Sequence, residues 1–291
     1  MASLFEAPQL GITELPEDLH YRLTDPGTGA VLAQVAPVVV GRSMRGPRGL
    51  ARLKRFVRHG MVGLLYKAAR YHVPRITFCV TDVRNSTLFY IDRAEKLVDN
   101  PAIPQSAVVD PSGGVLGYLL SDHYQTLDAM NPPVDAHGIA TVSGRHHLRN
   151  RDHEVVGEVV LRVPWTKDSM QRGLAPGDPA IRIVAPDGAV WAWSGEREFS
   201  TMQIDPRAPQ WLRALLIAQM VAGRLEKRLH KSLFARYRPP APLDPTREPY
   251  PGFRHVHSSY MRYQEEVTQW FREEIKRRNW LVGRTQPLPP S

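Results

Sequence analysis

The chain has 291 residues, 42% hydrophobic and 23% charged, an ordinary globular balance with material for one large domain or two small ones. Its one cysteine, Cys79, excludes an internal disulfide and a thiolate metal cluster, and suits a reducing, cytoplasmic setting. The net charge of +9 is not uniform: residues 26–81 carry ten Lys/Arg and no Asp or Glu, while the rest holds 28 basic against 29 acidic residues, an asymmetry that points to an acidic partner.

Residues 1–19, MASLFEAPQLGITELPEDL, lack a positive lead and a sustained apolar run. They predict an N-terminal arm and no signal peptide. His20–Pro37 then sets two β-prone runs about a D-P-G-T-G bend, which predicts a hairpin. The same design recurs at Arg75–Arg93, Ser106–Ser121, Arg149–Val163 and Ala180–Trp193. Five such units argue a mainly antiparallel β-domain over residues 20–230.

Between the first two hairpins lies a basic insertion, residues 42–72. Gly41–Gly49, with Arg42, Arg45 and Arg48, reads as a basic loop. Beyond it Leu50, Leu53, Val57, Met61, Leu64 and Ala68 recur at helical spacing, with Arg52, Arg55, Arg58 and Arg70 opposite. Such a helix seats its apolar residues, Leu53, Val57, Met61 and Leu64, on a membrane or on the barrel. Its cations, with Lys54 and Lys67, then meet phosphate. The bland alternative is a helix packed on the barrel with its charges in water.

Asp205–Glu226, DPRAPQWLRALLIAQMVAGRLE, predicts a helix over 206–229 opened by Asp205 and Pro206. Leu212, Leu215, Ile217, Met220 and Val221 point in nearly every direction, so it must be wrapped by protein or placed in a bilayer. The clean run Ala214–Gly223 is far shorter than the roughly 20 residues of a span. A buried core helix follows, and ten or more strands around it admit one economical packing. The sheet closes into an antiparallel barrel of about twelve strands with the helix filling its lumen.

Residues 231–257 form a Pro-rich linker, with six prolines in Tyr237–Pro251, readable as a strap over the surface. Residues 258–291 give a C-terminal amphipathic helix and tail. Its stripe of Tyr260, Tyr263, Val267, Trp270, Phe271 and Ile275 makes either a lid on the barrel or a contact for another chain or a second copy. The partner face would be Val267, Trp270, Phe271 and Ile275.

The turns VVDPSGGVLG and IVAPDGAVWA, followed by a D-P-opened helix rich in Leu, Ala and Ile, resemble the tubby C-terminal-like superfamily. That group includes the phospholipid scramblases and the LURP-one-related proteins. The resemblance covers roughly His20–His230 and implies a twelve-stranded barrel around a central hydrophobic helix, with a tie to phosphoinositides or phospholipids. In that group the central helix lies close to the C-terminus, whereas about sixty residues follow it here. The cysteine-rich palmitoylation stretch of animal scramblases and an acidic calcium loop are missing, so scramblase activity is not carried over.

Signatures of catalysis are largely missing. There is no G-x-S-x-G, no phosphate loop, no G-x-G-x-x-G opening a helix and no H-E-x-x-H. Gly113, Gly114 and Gly117 are assigned to a hairpin bend. In Arg145–Glu154, RHHLRNRDHE, consecutive His146 and His147 on a strand would face opposite sides, so a polar loop is preferred to a metal site. Cys79 reads as a small buried hydrophobe, and Asp25, Asp82, Asp110 and Asp187 as turn formers. No cofactor or metal is expected.

The sequence therefore predicts a non-enzymatic protein that associates with an anionic phospholipid surface. The contacts would be Arg42, Arg45, Arg48, Arg52, Lys54, Arg55, Arg58, Lys67 and Arg70. The alternatives are an adaptor working through its C-terminal helix and a nucleic-acid binder using the same basic segment. Against the latter, only Phe56 and Tyr66 stand among the arginines to stack bases.

Overall fold

The computed structural model describes residues 3–17, 19–40, 76–93, 106–121, 132–143, 146–175, 177–196, 199–232 and 250–253. Twelve strands close into an antiparallel ring. In order around it these are β1 (Gln9–Glu14), β2 (Tyr21–Thr24), β3 (Val31–Val40), β4 (Ile76–Asp82), β5 (Thr87–Arg93), β6 (Ser106–Val109), β7 (Val115–Ser121), β9 (His146–Asn150), β10 (Val155–Pro164), β11 (Ile181–Val184), β12 (Val190–Ser194) and β13 (Thr201–Ile204). Closure comes from β13 pairing back to β1, Gln9 opposite Gln203. The remaining strand, β8 (Ile139–Val142), stands outside the ring and pairs with Leu161–Pro164 of β10. A short helix, α1 (Lys167–Arg172), lies on the β10–β11 connection, and α2 (Gln210–Ser232) fills the lumen.

Every residue from Leu212 to Val221 is buried, including Arg213 and Gln219. A helix apolar on all sides needs a sheath, and the ring supplies one. Leu10, Leu23, Val35, Phe78, Phe89 and Leu148 join Leu215, Leu216 and Met220 of α2 in a single core cluster. All five predicted hairpins are present.

Four of the turns share one construction. Asp82 Oδ1 accepts from the N–H groups of Arg84 and Ser86, both at 2.8 Å. Asp110, Asp135 and Asn150 hold their own turns by the same pair of contacts, two and four residues on. The residue three after each of them has positive φ: Asn85, Gly113, Gly138 and His153. This is a type I turn continued by a left-handed residue, and Asp or Asn at its head satisfies the exposed N–H groups.

Several elements differ from expectation. The first strand begins at Gln9, inside the stretch read as an arm, because six residues between Pro8 and Pro16 give too short an alternation to register. Asp205 does not cap α2. Its carboxylate accepts from Arg207 N at 2.8 Å in the preceding turn, and the helical pattern starts with Arg213 N donating to Pro209 O at 2.9 Å. Gly117 lies within β7 rather than in the bend, where a Cβ would sit 2.9 Å from Leu215 Cδ1 and overlap Arg149 O. The absent side chain there lets helix and wall approach.

Antiparallel order fixes the two ends of the barrel. The tight turns β2–β3, β4–β5, β6–β7, β9–β10 and β11–β12, the entry to α2 and residues 3–8 share one end, called here the turn end. The other, the connection end, receives the β1–β2, β3–β4, β5–β6, β7–β9, β10–β11 and β12–β13 connections and the exit of α2.

Candidate functional site

The basic residues Arg42, Arg45, Arg48, Arg52, Lys54, Arg55, Arg58, Lys67 and Arg70, and their apolar companions Leu53, Val57, Met61 and Leu64, lie outside the described residues. So do Val267, Trp270, Phe271 and Ile275. What the structure fixes is where the basic segment is attached. Val40 and Ile76, which bracket it, pair with each other at the connection end of adjacent strands.

The turn end carries Glu6, Asp25, Asp82, Asp110, Asp152, Glu154, Asp187 and Asp205 against Arg84, Arg151 and Arg207. The ten cations of residues 41–75 belong to a connection that leaves and returns at the connection end and are themselves outside the described residues. In sequence the other connections at that end hold more acid than base.

Two turn-end carboxylates, Asp205 and Asp25, are held below the usual carboxylate range by donors in their own turns. The Arg207 side chain, donating from Nη2 to Asp205 Oδ2 at 2.7 Å, together with the Arg207 N–H, lowers Asp205 to about 2. Thr28 Oγ1 and Gly27 N lower Asp25 in the same way. Donors to the ionised form are what depress these groups.

A second arrangement occupies the outer wall of β4–β7. Thr77 and Asp92 are opposed residues of β4 and β5, each 0% exposed, and Thr77 Oγ1 donates to Asp92 Oδ1 at 3.0 Å. The other carboxylate oxygen accepts from Tyr250 Oη at 2.6 Å. Tyr250 stacks on Tyr90 with ring centroids 5.1 Å apart and meets Phe253 edge-on, while a Cβ at Gly113 would overlap Pro251 O. Tyr250–Phe253 thus lies against the wall; the rest of the Pro-rich linker read from the sequence is outside the described residues beyond Ser232. Nothing local in the sequence signals that Asp92 is buried, since its partner comes 158 positions later. Tyr250→Phe is expected to lower stability by about 1–3 kcal/mol in urea denaturation, because a desolvated carboxylate loses a charge-assisted donor. Limited proteolysis around residue 250 should accelerate in parallel.

The remaining candidates do not converge on chemistry. His146 and His147 are consecutive on β9 and face opposite ways, while His153 stacks on Tyr118 at 4.5 Å in its turn. Among the described residues no three His, Cys, Asp or Glu side chains gather in metal-binding geometry. Cys79 is half-buried, and burial raises its thiol above the ordinary range, the opposite of an activated thiolate. A 480 Å³ cleft between the β10–β11 connection and β12 has Asp178 as its one acidic residue, and Arg162 Nη1 already binds that carboxylate. A 440 Å³ cleft beside the start of α2 is lined by Phe5, Glu6, Gln210 and Arg213. Arg213 donates there to the carbonyls of Ala208, Ala7 and Asp205 at 3.1, 3.2 and 3.1 Å. No helix among the described residues is long and apolar enough to cross a membrane. Comparison with protein-family models, with curated proteins and with solved structures finds no match to the chain.

Proposed function

We propose that this protein is a non-enzymatic binder of anionic phospholipid surfaces built on a tubby- or scramblase-like barrel. It would act through the basic segment 42–75. One observation carries the reading: ten cations with no acid between them leave the barrel from a single connection between adjacent strands. The closed ring around α2 agrees with the fold the family likeness implies. Each Lys or Arg near an anionic leaflet contributes about 1 kcal/mol, so six to eight of them give reversible attachment without a lipid anchor.

The test is flotation with phosphatidylcholine vesicles, with and without phosphatidylserine, beside DNA retardation over a salt series. The intact chain should float with the anionic vesicles only. Changing Arg52, Lys54, Arg55 and Arg58 together to Glu should weaken that attachment at least about a hundredfold. Attachment unchanged by the four reversals, or retardation of DNA without flotation, overturns the proposal.

A further inference from the structure

A closed barrel turns alternate residues of each strand to the lumen and to water. On β2, β3 and β11 the outward positions are open, as at Arg22, Gln34 and Arg182. On β4–β7 they are covered. Thr77, Asp92, Ala107, Val109 and Tyr118 face outward, yet none is more than 5% exposed. Ala107, Val109 and Tyr118 form a hydrophobic cluster with Tyr250, separate from the one around α2, and Tyr90, Val115 and Phe253 pack against it. The outer wall therefore carries a dry groove, and Tyr250–Phe253 is seated in it.

The segment and the groove fit each other in shape and in chemistry. Phe253 N donates to Tyr250 O at 3.3 Å, with Pro251 second and Gly252 third at a φ of 78°, which makes a type II turn. Its own residues set that shape, so little ordering is left to do on docking. Gly113 in the β6–β7 turn has no side chain to keep the Pro251 carbonyl away, since a Cβ there would overlap it. Tyr90 stacks on the Tyr250 ring, and the floor is Asp92. One carboxylate oxygen accepts from the Tyr250 hydroxyl at 2.6 Å while Thr77 holds the other at 3.0 Å. A dry carboxylate is costly without donors, so the floor favours a ring that brings a hydroxyl. Aromatic packing alone would accept phenylalanine as readily. The acid on the outer wall is what makes the groove selective.

We infer that the outer wall of β4–β7 is a recognition site for a Tyr-Pro-Gly-Phe turn, which the chain's own Tyr250–Phe253 occupies as a latch. The partner it fits is a peptide segment that offers the same turn and sets its tyrosine hydroxyl on Asp92. The latch gains from attachment. It is tethered to the end of α2 through residues 233–249, and such a tether gives a local concentration on the order of a millimolar. A rival segment docks when it exceeds that concentration or when the latch is weakened, and the chain beyond Phe253 is then freed from the wall. The site is independent of the lipid-surface reading, which concerns the β3–β4 connection.

The test is a nuclear magnetic resonance titration of the isotope-labelled full chain with acetyl-Tyr-Pro-Gly-Phe-amide. In Tyr250→Ala combined with Phe253→Ala the latch is gone. The peptide should then shift the amide signals of Tyr90, Asp92 and Gly113 and leave those of Arg22 and Arg182 in place. The unaltered chain should bind it at least about tenfold more weakly, because its own latch competes. Replacing the peptide's tyrosine by phenylalanine should cost at least about tenfold in affinity for the unlatched protein. Tyr250→Phe, whose latch is only weakened, should take up the tyrosine peptide more tightly than the unaltered chain. It supplies the same comparison if the double variant does not fold. A folded, unlatched protein that ignores the peptide, or binds both peptides alike, overturns the site. Equal affinity with and without the latch, or a doubled mass of the unaltered chain in light scattering that the double variant lacks, overturns its occupation in cis.

Discussion

Gly117→Ala should cost about 3 kcal/mol or more, and Gly117→Val should abolish a cooperative unfolding transition. At this position even a methyl group overlaps the Arg149 carbonyl on β9 and comes within 2.9 Å of Leu215 Cδ1 on α2. Leu215 could turn aside; a backbone oxygen in a strand ladder cannot. Gly117 pairs with Asn150 in that ladder, so relief requires β7 and β9 to separate. Overpacking a well-filled core ordinarily costs about 1–3 kcal/mol, and a clash with backbone lies at or beyond the top of that range. A whole domain holds only about 5–15 kcal/mol in reserve. Urea denaturation followed by far-ultraviolet circular dichroism measures the loss. Adding Leu215→Ala should restore only part of it, because the carbonyl contact remains. An alanine variant with unchanged midpoint would mean that α2 does not lie against β7 as described.

The second large effect is expected at Arg213. This side chain, 5% exposed, ties together three segments: residue 7 before the first strand, the turn at 205–208, and the start of the helix. Arg213→Ala takes a donor from three carbonyl oxygens beside the cleft at the start of α2; Asp205 O keeps the Ala208 N–H at 3.0 Å, while Ala7 O and Ala208 O lose the guanidinium. At about 1–3 kcal/mol per buried unsatisfied group, with partial hydration at the barrel mouth, a net loss of about 3 kcal/mol follows. Arg213→Met keeps most of the packing but none of the donors and should be nearly as damaging. Arg213→Lys reaches one or two carbonyls and should recover part of the loss. Hydrogen exchange should locate the damage in Gln9–Glu14, which loses its tether before the rest of the ring opens. Uniform loss across all strands, or none, would contradict this role.

The barrel was legible because its signals are local. Each tight turn advertises itself with Asp, Pro, Gly or Asn, since those residues satisfy or permit the bend. The core helix advertises itself by being apolar around its whole circumference. The strands read poorly were short ones: β1, β8 and β13 offer four to six residues each, too few for alternation to stand out. Asp205 misled because one side chain can serve a turn or a helix start, and Pro206 and Pro209 suit both. Arg213, Asp92 and Tyr250 carry no local sign of their roles. Their partners lie 206 and 158 positions away, and only the closed ring brings them together. The charge surplus was plain from composition, and the strand order adds only the point from which its segment leaves the barrel.

Closure between the first strand and the last has a consequence for biosynthesis. No ring can form until Thr201–Ile204 has emerged to meet Gln9–Gly11. At about 5–20 residues per second, an N-terminal edge waits roughly 10–40 s for its partner. Throughout that interval the nascent sheet is an open trough with its greasy inner surface uncovered, and the rod destined to fill it is made after every strand. Such a chain would lean on chaperones until termination, and contacts so distant in sequence would make its refolding from denaturant slow.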